Sequence, residues 1–330
     1  MMRAVLAIAI AISSLFLATG CITPIIDLGS LGRVSPLTEV TITGDADAKL
    51  AMLEVTGVIS FVEEGWSFTG QKPSVIARLH EALELAAGDP KVKGLILRVR
   101  SPGGGVAASE TLHHLISDWK QHTGKPVVAF LQGIAASGGY YVAMAADTVV
   151  AHPSSITGSI GVIMPGINLA GLMERFGVAD QTLISGAFKD SGSTLRAMRE
   201  DERLQLQSVI DDLYGRFVDV VDAGRPGLDR TSVERLSDGR IFSASQALEE
   251  GLVDQIGHLD VAITRARDLA GLSKFKLVAY KEAGRPANNI YSDISSRAPA
   301  PVSRELNLIS VGVSKIPAGF YYLWPMALPR

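Results

Sequence analysis

The stretch Pro126–Asp147, PVVAFLQGIAASGGYYVAMAAD, carries most of what the sequence says about the fold. Its beginning is short, apolar and rich in valine, which predicts a buried strand, and its end is rich in alanine, which predicts a helix. Ser137 stands between the two, next to alanines and two glycines. In α/β proteins ligands bind beyond the carboxyl ends of the strands, so this position favours a functional role for the serine.

Strand and helix patterns alternate on the amino-terminal side of this stretch. Lys49–Ile59 and Gly94–Val99 have the length and β-branched content of buried strands. Helical spacing of apolar residues follows Pro73 and recurs around Trp119. The alternation predicts an α/β domain with a largely parallel sheet. The pattern alone fits an open doubly wound sheet as well as other α/β arrangements.

Composition narrows the classes of function. The 330 residues are 47% hydrophobic and 20% charged, which is typical of a well-packed globular protein. A formal net charge of −3, without a local block of Lys and Arg, speaks against a nucleic-acid partner. Cys21 is the single cysteine, and the six histidines lack metal-ligand spacing, so we expect no metal site, no other cofactor and no intrachain disulfide.

The amino-terminal segment 1–21, MMRAVLAIAIAISSLFLATGC, has the layout of a secretory signal. Arg3 precedes an apolar run, Ala4–Leu17, that is shorter than the roughly 20 residues a membrane-spanning helix needs. With Cys21 after small residues the segment resembles a bacterial lipoprotein signal, although Ala18 stands where leucine is usual. The alternative is an uncleaved anchor with an incidental cysteine. Either way we expect a protein of the cell envelope, held at a membrane by lipid on Cys21 or by the anchor, with its main domain outside the cytoplasm.

The chain divides by composition into four parts. Residues 1–21 are the signal or anchor, 22–48 a linker with Pro, Gly and polar residues, 49–280 the folded domain, and 281–330 a flexible tail. The tail ends in the apolar and aromatic sequence LISVGVSKIPAGFYYLWPMALPR. Such an end needs a surface that covers it. A neighbouring subunit, the bilayer surface and the groove of the domain are all open.

Two glycine-rich turns follow predicted strands. They are SPGGG, Ser101–Gly105, and SGG, Ser137–Gly139. Glycine lets another backbone approach closely, and a helix that begins directly after such a turn presents free N–H groups, so these turns can hold an oxyanion. A phosphate loop is poorly supported, because no Gly-Lys-Ser/Thr follows. Each of these segments, taken alone, is also consistent with a purely structural role, as an ordinary tight turn or as a site of close packing.

An acyl-transfer serine needs a base. Of the histidines only His152 follows a strand closely enough to approach a site, and packing or surface roles explain all six. A lysine is a competent base if apolar neighbours lower its pKa from about 10.4 toward 7–8. Lys189, after Phe188 in LISGAFKDSGS, is placed for that, provided that Asp190 points away from it. From the local sequence alone, Lys189 is also consistent with a lysine exposed to solvent in a loop.

Several motifs together resemble one family, the bacterial signal peptide peptidases, in their shorter, single-repeat form. They are SPGGG, GIAASGGYYVAMAAD, ITGSIGV (Ile156–Val162), FKDSGS and DGRIFSASQALEEGLVDQIG (Asp238–Gly257). The resemblance runs in the same order from Lys49 to Leu272. The departures are small: Ala187-Phe188 stands where the family often has Lys-Tyr, and Thr194 where it has Pro.

The resemblance implies a serine protease with a Ser-Lys dyad. Ser137 matches the nucleophile, Lys189 the general base and Ser159 the hydroxyl that orients the lysine. Backbone N–H groups of Gly138 and Gly104 would form the oxyanion hole. The implied fold is the crotonase and Clp-protease type, an α/β spiral of ββα units with helical carboxyl-terminal elements.

The implied substrates are cleaved signal peptides and other short apolar peptides, and the implied assembly is a dome-shaped homo-oligomer. Two other functions stay open. A crotonase-type acyl-CoA hydratase or hydrolase would share the fold, but the export signal speaks against it. A catalytically inactive, membrane-associated scaffold would keep the fold without the chemistry.

Overall fold

The computed structural model describes residues 36–62, 66–67, 70–71, 73–282, 289–292 and 319–327. The predicted signal 1–21, with Cys21, lies outside these residues. The strands are β1 Leu37–Thr43, β2 Lys49–Thr56, β3 Trp66–Ser67, β4 Gly70–Gln71, β5 Val92–Ser101, β6 Gly103–Gly105, β7 Val127–Ala135, β8 Thr148–Ala151, β9 Ile156–Gly158, β10 Ile241–Ser243, β11 Gln255–Ile256, β12 Lys276–Glu282 and β13 Tyr321–Leu323. The helices are α1 Val75–Gly88, α2 Val106–Thr123, α3 Gly138–Ala143, α4 Ala170–Arg175, α5 Glu200–Gly224, α6 Arg230–Leu236, α7 Ala244–Glu249 and α8 Leu259–Leu269, with a 3-10 turn at Pro325–Ala327.

A mostly parallel sheet forms the centre of the domain, with the strand order β1-β12-β2-β5-β7-β8-β11. From β12 to β11 neighbouring strands run parallel, and β1 adds an antiparallel edge. Among the described residues, the short strands β3 and β4 pair with each other. The predicted α/β class with a largely parallel sheet is confirmed.

Both faces of the central strands are buried, which explains their continuous apolar sequences. In β5, GLILRV alternates between the two sides: Leu95 and Leu97 pack with helices α1 and α2, and Ile96 packs with α8. Helix α1 is capped by Ser74, the residue before it, whose hydroxyl accepts a hydrogen bond from the N–H of Ala77 at 3.3 Å. The core thus fixes the two strands from which the glycine-rich turns emerge.

Two parts of the predicted domain organisation need correction. The segment 22–48 was predicted as a linker, but Leu37–Thr43 is strand β1, paired antiparallel with β12. Its sequence, LTEVTIT, alternates as a half-exposed edge strand does, and its polar residues hid that pattern among linker residues.

The described parts of the predicted flexible tail, 281–330, are bound to the domain. Arg98 is buried beside Glu54, and its guanidinium donates hydrogen bonds of 2.9 Å each to the carbonyls of Ile290 and Ser292. Farther on, β13 pairs with β6. Buried apolar and hydrogen-bonding partners, which composition does not reveal, hold both stretches in place.

Among the residues that the structure describes, no helix has the length and apolar character required to cross a membrane.

Candidate active site

Ser137 lies between strand β7 and helix α3, at the carboxyl edge of the sheet, and is 1% exposed. Its backbone has φ 52° and ψ −120°, a conformation that a non-glycine residue rarely adopts. Backbone strain of this kind costs on the order of 1–3 kcal/mol and is concentrated at functional sites. The N–H of Ser137 donates to the carbonyl of Gly158 at 2.7 Å, which holds the turn against strand β9.

The small residues around Ser137 are explained by close backbone packing. A Cβ on Gly138 would lie 2.3 Å from Oγ of Ser109, and a Cβ on Gly139 would lie 2.6 Å from the carbonyl oxygen of Ser101. Neither position has room for a side chain. The turn can therefore approach the SPGGG segment closely.

The SPGGG turn lies directly against the serine turn. Gly103 has φ +97°, and a Cβ built on it would lie 2.7 Å from the backbone nitrogen of Gly138. Gly104 is packed onto Ile59, whose carbonyl oxygen would be 1.9 Å from an added Cβ. Hydrogen bonds from Ile59 N to Gly103 O, 2.9 Å, and from Gly105 N to Ile59 O, 3.0 Å, fix the turn. The structure thus brings the turns of both predicted oxyanion glycines, Gly104 and Gly138, together.

Ser159 lies beside the same turn. It follows Gly158, which accepts the hydrogen bond from Ser137, and its own N–H donates to Arg240 O at 2.7 Å. Ser159 is 7% exposed and has φ 52°. Within the described part of the chain, Ser137 and Ser159 are the two non-glycine residues with positive φ. Local strain thus coincides with two residues that the family resemblance singles out.

Lys189 lies apart, in an exposed segment after helix α4. Its N–H donates to Gly186 O at 3.0 Å, and its ammonium group has no hydrogen bond or ion pair among the described residues. Asp190 points away from it and forms an ion pair with Arg196, with 2.7 Å between Oδ2 and Nε. The condition placed on Asp190 is met. Among the described residues no hydrogen bond joins Lys189 to Ser137, and the dyad stays a prediction.

The histidines examined as alternative bases pack against other rings. His152 makes edge contacts with Phe130 and His258, with ring centroids 6.4 and 5.0 Å away. His113 makes an edge contact with Tyr141 at 5.3 Å, and burial lowers its pKa to about 4. Their contacts are those of packing residues.

Sequence reasoning missed a buried carboxylate that supports the lysine segment. Glu202, in the first turn of α5, is fully buried. Its carboxylate accepts hydrogen bonds from Gly192 N at 2.5 Å and from Arg196 Nη1 at 2.8 Å. Burial raises the pKa of Glu202, but the hydrogen bonds from Arg196 and Gly192 outweigh it, so the pKa is lowered overall. A glutamate among charged residues at a helix start, EDER, gave no signal of burial.

The sequence was compared with known proteins. The family model described as peptidase family S49 matches residues 120–273. A relative from Enterococcus faecium, named as a signal peptide peptidase, SppA, is 36% identical over 249 residues, which are 74% of this chain and 71% of the relative. The protease slr0021 of Synechocystis is 39% identical over 229 residues, 69% of this chain and 77% of the relative. Protease 4 of Salmonella typhi is 34% identical over 194 residues, 59% of this chain and 31% of that protein.

The fold and the strained serine turn, taken with these relatives, define a serine peptidase on a mostly parallel α/β scaffold. The chain belongs to peptidase family S49, the family of the signal peptide peptidases. The mostly parallel sheet is consistent with the Clp-protease-like fold that the resemblance implies.

Proposed function

We propose that this peptidase is a membrane-tethered endopeptidase that hydrolyses short apolar peptides, such as cleaved signal peptides, with Ser137 as nucleophile and Lys189 as general base. The observation that carries the proposal is the turn at Ser137. It holds a serine in a strained conformation next to the backbone of a second glycine turn.

In the proposed reaction, Oγ of Ser137 attacks the carbonyl carbon of the peptide bond while Nζ of neutral Lys189 takes the hydroxyl proton. The N–H groups of Gly138 and Gly104 stabilise the negative charge on the carbonyl oxygen. The C–N bond then breaks, and the amine leaves with the proton from Lys189. Water, activated by the neutral lysine, hydrolyses the acyl-enzyme.

The general base must be neutral, and water must therefore be excluded from Lys189. In the single chain Lys189 is exposed, and it shares its segment with large exposed apolar side chains, among them Phe176, Leu183 and Phe188, which are 73%, 98% and 49% exposed. Apolar surface of this kind marks an interaction site. We propose that a second copy of the chain covers it in a homo-oligomer and thereby dehydrates Lys189.

The membrane tether is proposed from the segment 1–21, with lipid on Cys21. The test is metabolic labelling with a fatty acid, followed by membrane fractionation. Labelling that is lost in Cys21→Ala supports the lipid anchor, whereas membrane association without labelling supports an uncleaved amino-terminal anchor.

The experiment that tests the reaction is hydrolysis of an apolar fluorogenic peptide by the full chain in detergent, alongside labelling by a fluorophosphonate. We expect Ser137→Ala to lose both activities and Lys189→Ala to lose hydrolysis. The matched controls are Ser154→Ala and Lys274→Ala, at exposed loop positions. Hydrolysis that persists in Lys189→Ala would overturn the assignment of the base, and a parent that neither hydrolyses nor is labelled would favour an inactive scaffold.

A further inference from the structure

Ser101 begins the SPGGG turn, and its side chain has no part in the reaction proposed above. It is fully buried at the carboxyl end of strand β5. A buried hydroxyl is hydrogen-bonded as a rule, and its partners show what it holds in place. The Ser101 hydroxyl is 2.6 Å from the carbonyl oxygen of Gly57 and 3.1 Å from the backbone nitrogen of Gly103. Both partners are main-chain groups.

The directions of these two hydrogen bonds follow from the single proton of the hydroxyl. The hydroxyl donates this proton to Gly57 O, because the other carbonyl within reach, that of Gly103, is 3.5 Å away. Its oxygen then accepts the N–H of Gly103. Ser101 therefore joins the chain after strand β2 to the glycine turn after strand β5.

These contacts occupy the N–H groups on both sides of Gly104. The N–H of Gly103 donates to the Ser101 hydroxyl, and that of Gly105 donates to Ile59 O at 3.0 Å. Gly104, between them, is the residue whose N–H the proposed mechanism assigns to the oxyanion hole. The side chain of Ser101 thus helps to fix the direction of that N–H.

The main chain of Ser101 holds the second glycine turn. Its carbonyl oxygen accepts a hydrogen bond of 3.0 Å from the N–H of Ala136, the residue directly before Ser137. The same oxygen would lie 2.6 Å from a Cβ built on Gly139, so the two turns are in contact there. One residue therefore sets the separation between the turn of the proposed nucleophile and the turn of Gly104.

We infer that Ser101 is a positioning residue of this peptidase, whose hydroxyl holds the SPGGG turn so that the N–H of Gly104 points at the oxygen of the reacting carbonyl. This role rests on the proposed function, because it takes the N–H of Gly104 as an oxyanion donor. Ser101 acts through the backbone and does not touch the substrate. Oriented donors stabilise the charge that develops in the transition state more than they stabilise bound substrate. Loss of the hydroxyl should therefore lower kcat and leave KM nearly unchanged.

The first test compares kcat and KM of the full chain, Ser101→Ala and Ser101→Cys on one apolar fluorogenic peptide. The cysteine fills the site, but its thiol is a weak donor and a weak acceptor. We expect kcat to fall about 10- to 100-fold in both variants with KM within about twofold, because a displaced donor loses part of the effect of a deleted one. Full kcat in either variant would overturn the inference.

The matched control is Ser237→Ala. Ser237 is 1% exposed and directly follows helix α6, and its hydroxyl donates to Val233 O at 2.7 Å. Its partner thus belongs to its own helix and not to a glycine turn. We expect Ser237→Ala to lower the melting temperature about as much as Ser101→Ala does and to leave kcat unchanged. An equal loss of kcat in the control would mean that the rate merely follows stability, and would overturn the role of Ser101.

A second measurement separates the oxyanion hole from the rest of the site. When a peptide aldehyde binds, Oγ of Ser137 forms a bond to the aldehyde carbon, the C=O double bond becomes a C–O⁻ single bond, and Lys189 takes the hydroxyl proton. The corresponding peptide alcohol forms no such bond. We expect the inhibition constant of the aldehyde to rise in Ser101→Ala by about the factor by which kcat falls, and that of the alcohol to stay the same. Equal changes for the two inhibitors would contradict a role in orienting the oxyanion donor.

The variants Ser137→Ala and Ser101→Ala together distinguish two kinds of failure. Hydrolysis that persists in Ser137→Ala would refute the proposed function, and the role of Ser101 with it. Hydrolysis that requires Ser137 but keeps its full kcat in Ser101→Ala would refute the positioning role alone.

Discussion

At the scale of single residues, the site depends on backbone atoms that only glycine can present. Ser137 adopts a strained backbone conformation, and its turn packs against Gly103. The backbones of Gly103 and Gly138 approach so closely that Gly103 has no room for a Cβ. The surrounding contacts that pin the strained turn include the 2.7 Å hydrogen bond from Ser137 to Gly158. Close backbone packing therefore explains the residue types in these two turns as much as the proposed chemistry does.

The SPGGG turn offers a matched pair of substitutions. In Gly104→Ala the new Cβ would meet Ile59 O at 1.9 Å, so the backbone must shift and the N–H would leave the proposed oxyanion hole. We expect kcat to fall by about 10²–10³, the typical loss of one oxyanion donor. In Gly105→Ala the nearest atom is Cβ of Ala108 at 3.8 Å, and the rate should change little. Peptidase kinetics and thermal melting check both, and equal effects of the two would contradict the role of Gly104.

At the scale of elements, the segment that carries Lys189 is anchored by helix α5. The carboxylate of Glu202 ties Gly192 and Arg196 to the start of the helix, and Arg196 also binds Asp190. Hydrogen bonding by Arg196 lowers the pKa of Asp190 as well. A network of fixed charges thus sets the path of the chain directly after the proposed base.

Glu202→Gln tests this network. Because the pKa of Glu202 is lowered on folding, its ionised carboxylate stabilises the folded state at pH values above its ordinary pKa of 4.5. This stabilisation is lost as the pH falls below 4.5. We expect the variant to lose about 1.5–3 kcal/mol of stability at pH 7, because the hydrogen bonds from Gly192 and Arg196 to a charged carboxylate are lost or weakened, while Arg196 keeps its ion pair with Asp190. In denaturant titrations the difference in stability between the variant and the parent should narrow as the pH falls below about 4.5.

The control for that substitution is Glu200→Gln, two residues earlier in the same helix, where the side chain is 68% exposed and pairs with Arg203. Exposed ion pairs of this kind contribute little to stability, so the free energy of unfolding should change far less than in Glu202→Gln. If both variants lose the same stability, the buried network does not anchor the lysine segment.

At the scale of the whole molecule, an exposed apolar segment lies beside Lys189, the proposed base, while Ser137, the proposed nucleophile, is buried. Residues 167–188 include Leu172, Phe176, Val178 and Leu183, each more than half exposed. A chain working alone would leave Lys189 in water. The proposed homo-oligomer therefore follows from the requirement for a dehydrated base.

Leu183→Asp is the corresponding variant. Leu183 is 98% exposed, so the substitution should leave the fold of the single chain intact and place a charge in the proposed subunit interface. We expect light scattering to show a shift toward monomer and hydrolysis to fall together with it. Leu85→Asp, 39% exposed on helix α1, is the control and should change neither. An oligomer that survives Leu183→Asp with full activity would exclude this segment as the interface.

Much of the fold could be predicted from the sequence because its strands are unambiguous. The strand predicted at Lys49–Ile59 is β2, and the helix predicted after Pro73 is α1, ending at Gly88 as expected. Edge strand β1 was missed because alternating polar residues resemble a linker, and β13 because three residues at the end of a tail carry no periodicity of their own.

The sequence by itself determined the α/β class and the two glycine turns, because apolar periodicity and glycine spacing are local properties of the chain, and its motifs carried the resemblance to the family. Only the tertiary structure decided that the turns of Gly104 and Gly138 are adjacent, that Glu202 is buried and that the tail returns to the turn at Gly104. Those contacts join residues far apart in sequence. Their energies come from packing and hydrogen bonds that exist only once the chain has folded.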